Sequence, residues 1–359
     1  MRILVTGGAG FIGTAVVDHF LGQGAHVVNL DKFTYAAATA PDAASSQPRP
    51  GFVLEIADVA DRESVDGVLR RHRPDAVVHL AGGTHVDRSI DRPDIFVREN
   101  IVGTLTLLEA ARSYWQQLDP EPRARFRFLN ISTAEVFGSL AHGERAHEAT
   151  PYHPASPYAA SKASGDHLME AWFRTYGMPV ITTRCSNNYG PRQFPEKLIP
   201  LMILNALEGR PLPIYGTGTN VRDWLYVGDH AAALWQVLND GTPGASYNIG
   251  GGTVCSNIKL VRMLCAILDE ALPDSPHRPH ADLITFVADR PGHDSWNAVD
   301  SGLITRTLGW QPRETLESGL RRTVAWYLEH PEWWQPIRER VYRGERLGVG
   351  LPRQAVDER

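Results

Sequence analysis

The chain has 359 residues, 43% of them apolar, and a net charge of −5. That length supports one two-lobed enzyme or two closely joined domains, and the mild acidity offers no surface suited to nucleic acid or an anionic membrane. No apolar run approaches the roughly 20 residues of a membrane span. Three cysteines, Cys185, Cys255 and Cys265, sit at no metal-ligand spacing and read as reduced thiols of a cytoplasmic protein.

The N-terminal "MRILVTGG" runs straight into a buried strand, leaving no room for a signal peptide. "FIGTAVVDHFLGQG" is a helix ended by Gly24, and "HVVNLD" is the strand that closes a βαβ unit. Asp58 in "IADVAD" ends a third strand. "RPDAVVHLAG" and "RFRFLNIST" are further strands, and between them "NIVGTLTLLEAARSYW" is a helix with apolar residues on more than one face. Such alternation predicts an α/β fold, a Rossmann doubly wound parallel sheet.

From about Tyr189 the sequence turns rich in Pro, Gly and basic residues, as in loops that wrap a ligand. "DHAAALWQVL" and "SYNIGGG" then resume helix and strand, followed by the helical patterns "NIKLVRMLCAILDEAL" and "LESGLRRTVAWYLEH". The expected division is a cofactor domain of residues 1–183 plus 224–250, and a smaller interleaved C-terminal α/β substrate lobe of residues 184–223 plus 251–345. A loose tail of residues 346–359 completes it. No internal repeat or low-complexity tract is visible.

"GGAGFIG" spaces Gly7, Gly10 and Gly13 between a strand and a helix, where backbone N–H groups receive a pyrophosphate. A tight turn with no ligand is the plainer reading of the glycines alone. Asp31, 18 residues beyond Gly13, suits the two ribose hydroxyls and repels a 2′-phosphate, so NAD is expected over NADP; Lys32 beside it weakens that preference. Phe11, Ile12, Val59, Leu80 and Ala81 complete the expected cofactor wall, with Asp58 toward the adenine. No metal site is expected.

"SPYAASKAS" puts Tyr158 and Lys162 four apart on one helical face. A phenol with a pKa of about 10 becomes a usable base when a neighbouring ammonium favours its phenolate. With "GGAGFIG", "DKFTYA", "HVDRS", "SNNYGP", "FPEKLIP", "RDWLYV", "YNIGG" and "ADRPGHD", the chain resembles the extended short-chain dehydrogenases/reductases, and within them the nucleotide-sugar 4,6-dehydratases, from Met1 to about Tyr342. The resemblance implies that Tyr158 takes the proton of the sugar C4 hydroxyl, Lys162 holds the nicotinamide ribose, Thr133 bonds the C4 oxygen and Glu135 is the C5 base. It implies substrate contacts at Thr84, His85, Asn187, Lys197, Arg222, Asn257 and Arg290, and a homodimer through the helices beginning near Asn100 and Ser156.

The sequence departs from that family in "ISTAEVFGS". The usual trio is Thr-Asp-Glu, whose Asp protonates the leaving C6 hydroxyl; here Ala134 stands in the middle. Gly82, Gly83 and Thr84 replace the usual Ala-Glu-Ser, and Arg192 follows "NNYGP". Fewer acids and an added cation favour a substrate with a C6 carboxylate, because C4 oxidation alone prepares such a sugar to lose CO₂. The first expectation is therefore decarboxylation of UDP-glucuronate, with Arg192 on the carboxylate. Dehydration of dTDP-glucose is the alternative, with a water in place of the acid or Ala134 as a disabling, engineered change. A catalytically silent nucleotide-sugar binder is disfavoured by the intact Tyr158, Lys162, Thr133 and Glu135.

Overall fold

Seven parallel strands carry the larger half of the protein. The computed structural model describes residues 1–38 and 49–348. β1 (Arg2–Thr6), β2 (His26–Asp31), β3 (Phe52–Ile56), β4 (Ala76–His79), β5 (Arg127–Thr133), β6 (Val180–Cys185) and β10 (Ser246–Ile249) lie in the order β10-β6-β5-β4-β1-β2-β3. Strand order reverses between β1 and β4, and in open α/β sheets ligands bind at the carboxyl ends of the strands at such a point. The central strands are apolar on both faces because helices cover both. Helices Phe11–Gly22 and Val227–Asp240 bury Val16, Phe20, Leu234 and Val237 on one side. Helices Arg62–His72 and Gly103–Gln116 bury Val65, Leu69, Leu107 and Leu108 on the other.

Local chemistry explains the helix bounds. Asp61 caps Arg62–His72 by accepting from the Glu63 and Ser64 N–H groups. Helix Pro157–Tyr176 starts with Ser156 accepting from Ala159 N–H and Pro157 in its first turn, and ends at left-handed Gly177. The helix expected from Asn100 instead begins as a π-turn, Val97–Val102, and becomes α-helical at Gly103. This wider turn places Asn100 inward, where its Nδ2 donates to the Gly83 carbonyl and to Ser161 Oγ between Tyr158 and Lys162.

A second core joins β7 (Asn187–Tyr189), β8 (Leu212–Tyr215), β9 (Val221–Tyr226), β11 (Thr253–Ser256), β12 (Ile284–Val287) and β13 (Trp296–Asn297) to helices Leu198–Leu207, Asn257–Ala271 and Leu316–Glu329. β9 pairs with β7, β11 and β13, while β8 pairs with β12. One expectation is corrected at the C-terminus. Residues 346–348 are not a loose tail: Arg346 donates to the Ala288 carbonyl and Gly348 N–H to Asp91. The rest of the expected tail, residues 349–359, lies outside the described residues.

Candidate active site

A cleft of about 590 Å³ opens over the switch point. At one end Gly7 (φ 75) turns so tightly that a Cβ would stand 2.7 Å from Ala81 N, and a Cβ on Gly13 would stand 2.1 Å from the Gly7 carbonyl oxygen. These glycines let strand and helix meet, as the motif requires. Helix Phe11–Gly22 begins at Gly10 with no side-chain cap and no acid in its first turn, and Phe11, Ile12 and Gly13 face the cleft. Uncapped N–H groups at a helix N-terminus suit a pyrophosphate.

Asp31 is fixed by accepting from Ala9 N–H and Phe33 N–H at 2.9 and 2.8 Å. Burial raises its carboxyl, and those N–H groups oppose the shift. Lys32 does not remain free to greet a 2′-phosphate. Its ammonium bridges Glu99 at 2.8 Å and Asp58 at 3.3 Å, and those carboxylates hold it above its ordinary range against the pull of burial. Val59, Leu80 and Ala81 also line the cleft, so every expected cofactor residue meets there.

Thr133, Glu135, Tyr158 and Lys162 gather on the same wall. β5 ends at Thr133, whose Oγ1 accepts from Glu135 N–H and caps the turn Ala134–Phe137. Tyr158 sits against Val86 and Phe96, with its backbone N–H on Ser89 Oγ. Burial, and then the Glu135 carboxylate, hold its phenol well above the ordinary range. Lys162 donates to the Ile131 carbonyl at 2.7 Å, and burial lowers its ammonium. The expected lowering of the phenol by Lys162 is thus outweighed in this arrangement: desolvation disfavours both charged forms.

The other half of the site departs further from expectation. Thr84, Asn187 and Lys197 line the cleft; His85, Arg192, Arg222, Asn257 and Arg290 do not. His85 is a buried, neutral cap that receives Arg88 N–H and contacts the Glu196 carbonyl, its pKa driven down chiefly by burial. Arg290 is tied to Asp87 at 3.0 Å. Arg222 is buried; among the described residues its guanidinium donates only to the neighbouring Val221 carbonyl and has no ion pair. Asn257 opens its helix with Oδ1 buried and unbonded.

Arg192 is the clearest correction. It adopts φ 65 after Pro191, and its guanidinium, 42% exposed, pairs with Asp18 on the outer face of the first helix. Nor are Gly82 and Gly83 simple losses of charge. A Cβ at Gly82 would meet Asn100 Oδ1 at 2.4 Å, and one at Gly83 would meet Phe96 at 2.9 Å and the Glu99 carboxylate at 3.2 Å.

Sequence reasoning left out a clasp. The Glu196 carboxylate, 2% exposed, accepts from Arg88 Nε at 2.6 Å and from the Tyr35 hydroxyl at 2.9 Å. Arg88 stacks 4.0 Å over the Tyr35 ring, Phe194 packs edge-on to it, and Trp333 Nε1 donates to the Ala38 carbonyl. All three clasp residues lie in the quoted motifs "DKFTYA", "HVDRS" and "FPEKLIP". That was the available signal.

Residues 4–323 match the family model described as GDP-mannose 4,6 dehydratase. The dTDP-glucose 4,6-dehydratase of Neisseria meningitidis serogroup B is 55% identical over 353 residues, covering 97% of this chain and 99% of that one. The Escherichia coli K12 dTDP-glucose 4,6-dehydratase 1 is 52% identical over 355 residues, with 96% and 97% covered. The solved DesIV dTDP-glucose 4,6-dehydratase of Streptomyces venezuelae, with NAD and TYD bound, superposes with a TM-score of 0.83 at 41% identity, covering 94% of this chain and all of that one. A similarity this long and continuous, joined to the cleft geometry, places the chain in the extended short-chain dehydrogenase/reductase family, among the nucleotide-sugar 4,6-dehydratases.

Proposed function

We propose that the protein binds NAD and converts dTDP-glucose to the 4-keto-6-deoxy sugar. Glu135 carries this reading: a carboxylate at the sugar end of the cleft beside Thr133 and Tyr158, with no hydrogen bond or ion pair on it among the described residues. Decarboxylation would not need such a base, and Arg192, on which the uronate reading rested, pairs with Asp18 instead. When bound, NAD supplies the hydride acceptor for C4 oxidation and the donor that closes the cycle. Tyr158 takes the C4 hydroxyl proton, Thr133 holds that oxygen, Lys162 orients the nicotinamide ribose, and Asp31 holds the adenosine ribose. Lys197 serves the nucleotide diphosphate, with Thr84 and Asn187 nearer the sugar; Arg222, Arg290 and Asn257, which stand outside the cleft wall, are assigned to the diphosphate by the family resemblance alone. A buried guanidinium without an ion partner favours an anion beside it.

The division into the two lobes named above belongs to this reading, as does a homodimer. Val97, Val102 and Leu105 on one helical segment and Phe173 and Tyr176 on Pro157–Tyr176 are exposed, as a helix-to-helix interface requires. Three buried free thiols accord with a cytoplasmic enzyme. The test is incubation with dTDP-glucose, UDP-glucose and UDP-glucuronate separately, with mass analysis. Loss of water from the first alone is expected; loss of CO₂ from the last with no action on dTDP-glucose would overturn it.

A further inference from the structure

Loss of water from the 4-ketone needs a base at C5 and a proton for the departing C6 oxygen. A positioned acid is worth about 10²–10⁴-fold in such a step. Ala134 offers none: it is 2% exposed and packed among Val136, Phe137, Ala146, Ala163 and Val299. Its carbonyl is held by Asn297 Nδ2. Among the described residues, six carboxylates line the cleft: Asp31, Asp58, Asp91, Glu99, Glu135 and Glu196. Five are committed. Asp31 accepts two backbone N–H groups, Asp58 and Glu99 grip Lys32, Glu196 grips Arg88 and Tyr35, and Asp91 accepts Gly348 N–H.

Resting on the dehydratase reading, we propose that Glu135 performs both halves of the elimination, as C5 base and then as the acid at C6. Its carboxylate takes the C5 proton, and the C–H electron pair forms the enolate of the C4 ketone. The enolate re-forms the ketone, makes the C5–C6 double bond and breaks the C6–O bond. The proton now on Glu135 passes to the departing oxygen, which leaves as water, and Glu135 is again a carboxylate. The step consumes no external acid, oxidant or reductant. It requires the C5 hydrogen and C6 oxygen on one face of the sugar, within reach of one carboxyl group. Two other donors in the wall are weak acids: burial pushes the Cys185 thiol up to about 12, and the Tyr158 phenol lies above its ordinary range. The Lys162 and Lys197 ammonium groups donate instead to the Ile131 and Thr84 carbonyls. Asp294, near enough to feel the Glu135 charge, is engaged by Ser139 Oγ and lies outside the cleft wall.

The test uses the NAD-loaded enzyme and dTDP-glucose in deuterated water, with three readouts: reduced-nicotinamide absorbance for C4 oxidation, deuterium at C5 of recovered hexose, and product mass for water loss. Glu135→Gln is expected to accumulate reduced nicotinamide, which also reports a folded protein, while C5 exchange and water loss fall together by about 100-fold or more. Cys185→Ala and Asp294→Asn are expected to keep the native ratio of water loss to C5 exchange, and single-turnover water loss should stay level on the alkaline side of its maximum. A variant of Cys185 or Asp294 that exchanges C5 yet fails to lose water identifies a separate acid and overturns the proposal. A falling alkaline limb, or C5 exchange in Glu135→Gln, does the same. An unaltered enzyme that reduces its NAD but never dehydrates dTDP-glucose is a different result: it overturns the dehydratase reading itself.

Discussion

The two ends of the cleft are built in opposite ways. The cofactor end is made of contiguous motifs and backbone: a glycine turn, a bare helix N-terminus, and an aspartate fixed by N–H groups from its own sheet edge. The substrate end is made of single side chains from distant parts of the sequence, such as Arg222 on β9 and Arg290 tied to Asp87. A local motif can be read from spacing because the strand and helix that carry it fix its geometry. A convergent site cannot, because its geometry belongs to tertiary packing.

The strongest blow to this contrast falls where the two ends meet. Tyr158→Phe should cut C4 oxidation by about 10²–10⁴-fold, since it removes the proton acceptor. Bound NAD, measured after denaturation, should be retained, because the ring that packs on Phe96 remains. Finding NADP in that assay would break the Asp31 and Lys32 argument.

Arg222→Ala tests the substrate end. Loss of a charge-assisted contact to phosphate costs about 1.5–3 kcal/mol, so KM for the nucleotide sugar should rise roughly tenfold to hundredfold. Thermal stability should hold or rise, because the substitution removes a buried guanidinium with no ion pair among the described residues. A stability loss with unchanged KM would make Arg222 purely structural.

The seam between the halves carries a pH signature. Asp223, fully buried beneath Gly250, is pushed up by burial to about 7, with Arg145 3.7 Å away opposing the shift. A carboxyl whose folded pKa is raised stabilises the fold below its unfolded pKa of about 3.9, and that contribution is lost as pH rises through 7. Melting temperature should therefore fall across that window by more than in Asp223→Asn, where this titration is absent. Equal pH slopes would remove Asp223 from the account.

Arg192→Ala should do least. An exposed ion pair contributes about 0–1 kcal/mol, so turnover of dTDP-glucose should change by less than about twofold. A large loss would return Arg192 to the substrate.

Much of the fold was legible because apolar runs and glycine punctuation coincide with its strands and turns. The π-turn at Val97–Val102 was not, since nothing in "VRENIV" differs from an α-helical pattern; the demand comes from Asn100 reaching Gly83 and Ser161. At the candidate site, Thr133, Glu135, Tyr158 and Lys162 were legible through motif and spacing. Arg192 misled because charge can be read from sequence and direction cannot. Its left-handed turn sends it to Asp18, 174 positions away.

The clasp of Tyr35, Arg88 and Glu196 carries a consequence for metabolism. Tyr35 and Ala38 belong to the loop that follows Asp31, and they are held by Glu196, Phe194 and Trp333 from the opposite half. Release of a dinucleotide past that loop requires several of these contacts to break together. On the proposed function, the oxidant is then confined from one turnover to the next, and each sugar must take back the electrons it lent. Flux through the enzyme is thereby insulated from the balance of oxidised and reduced nicotinamide in the surrounding solution.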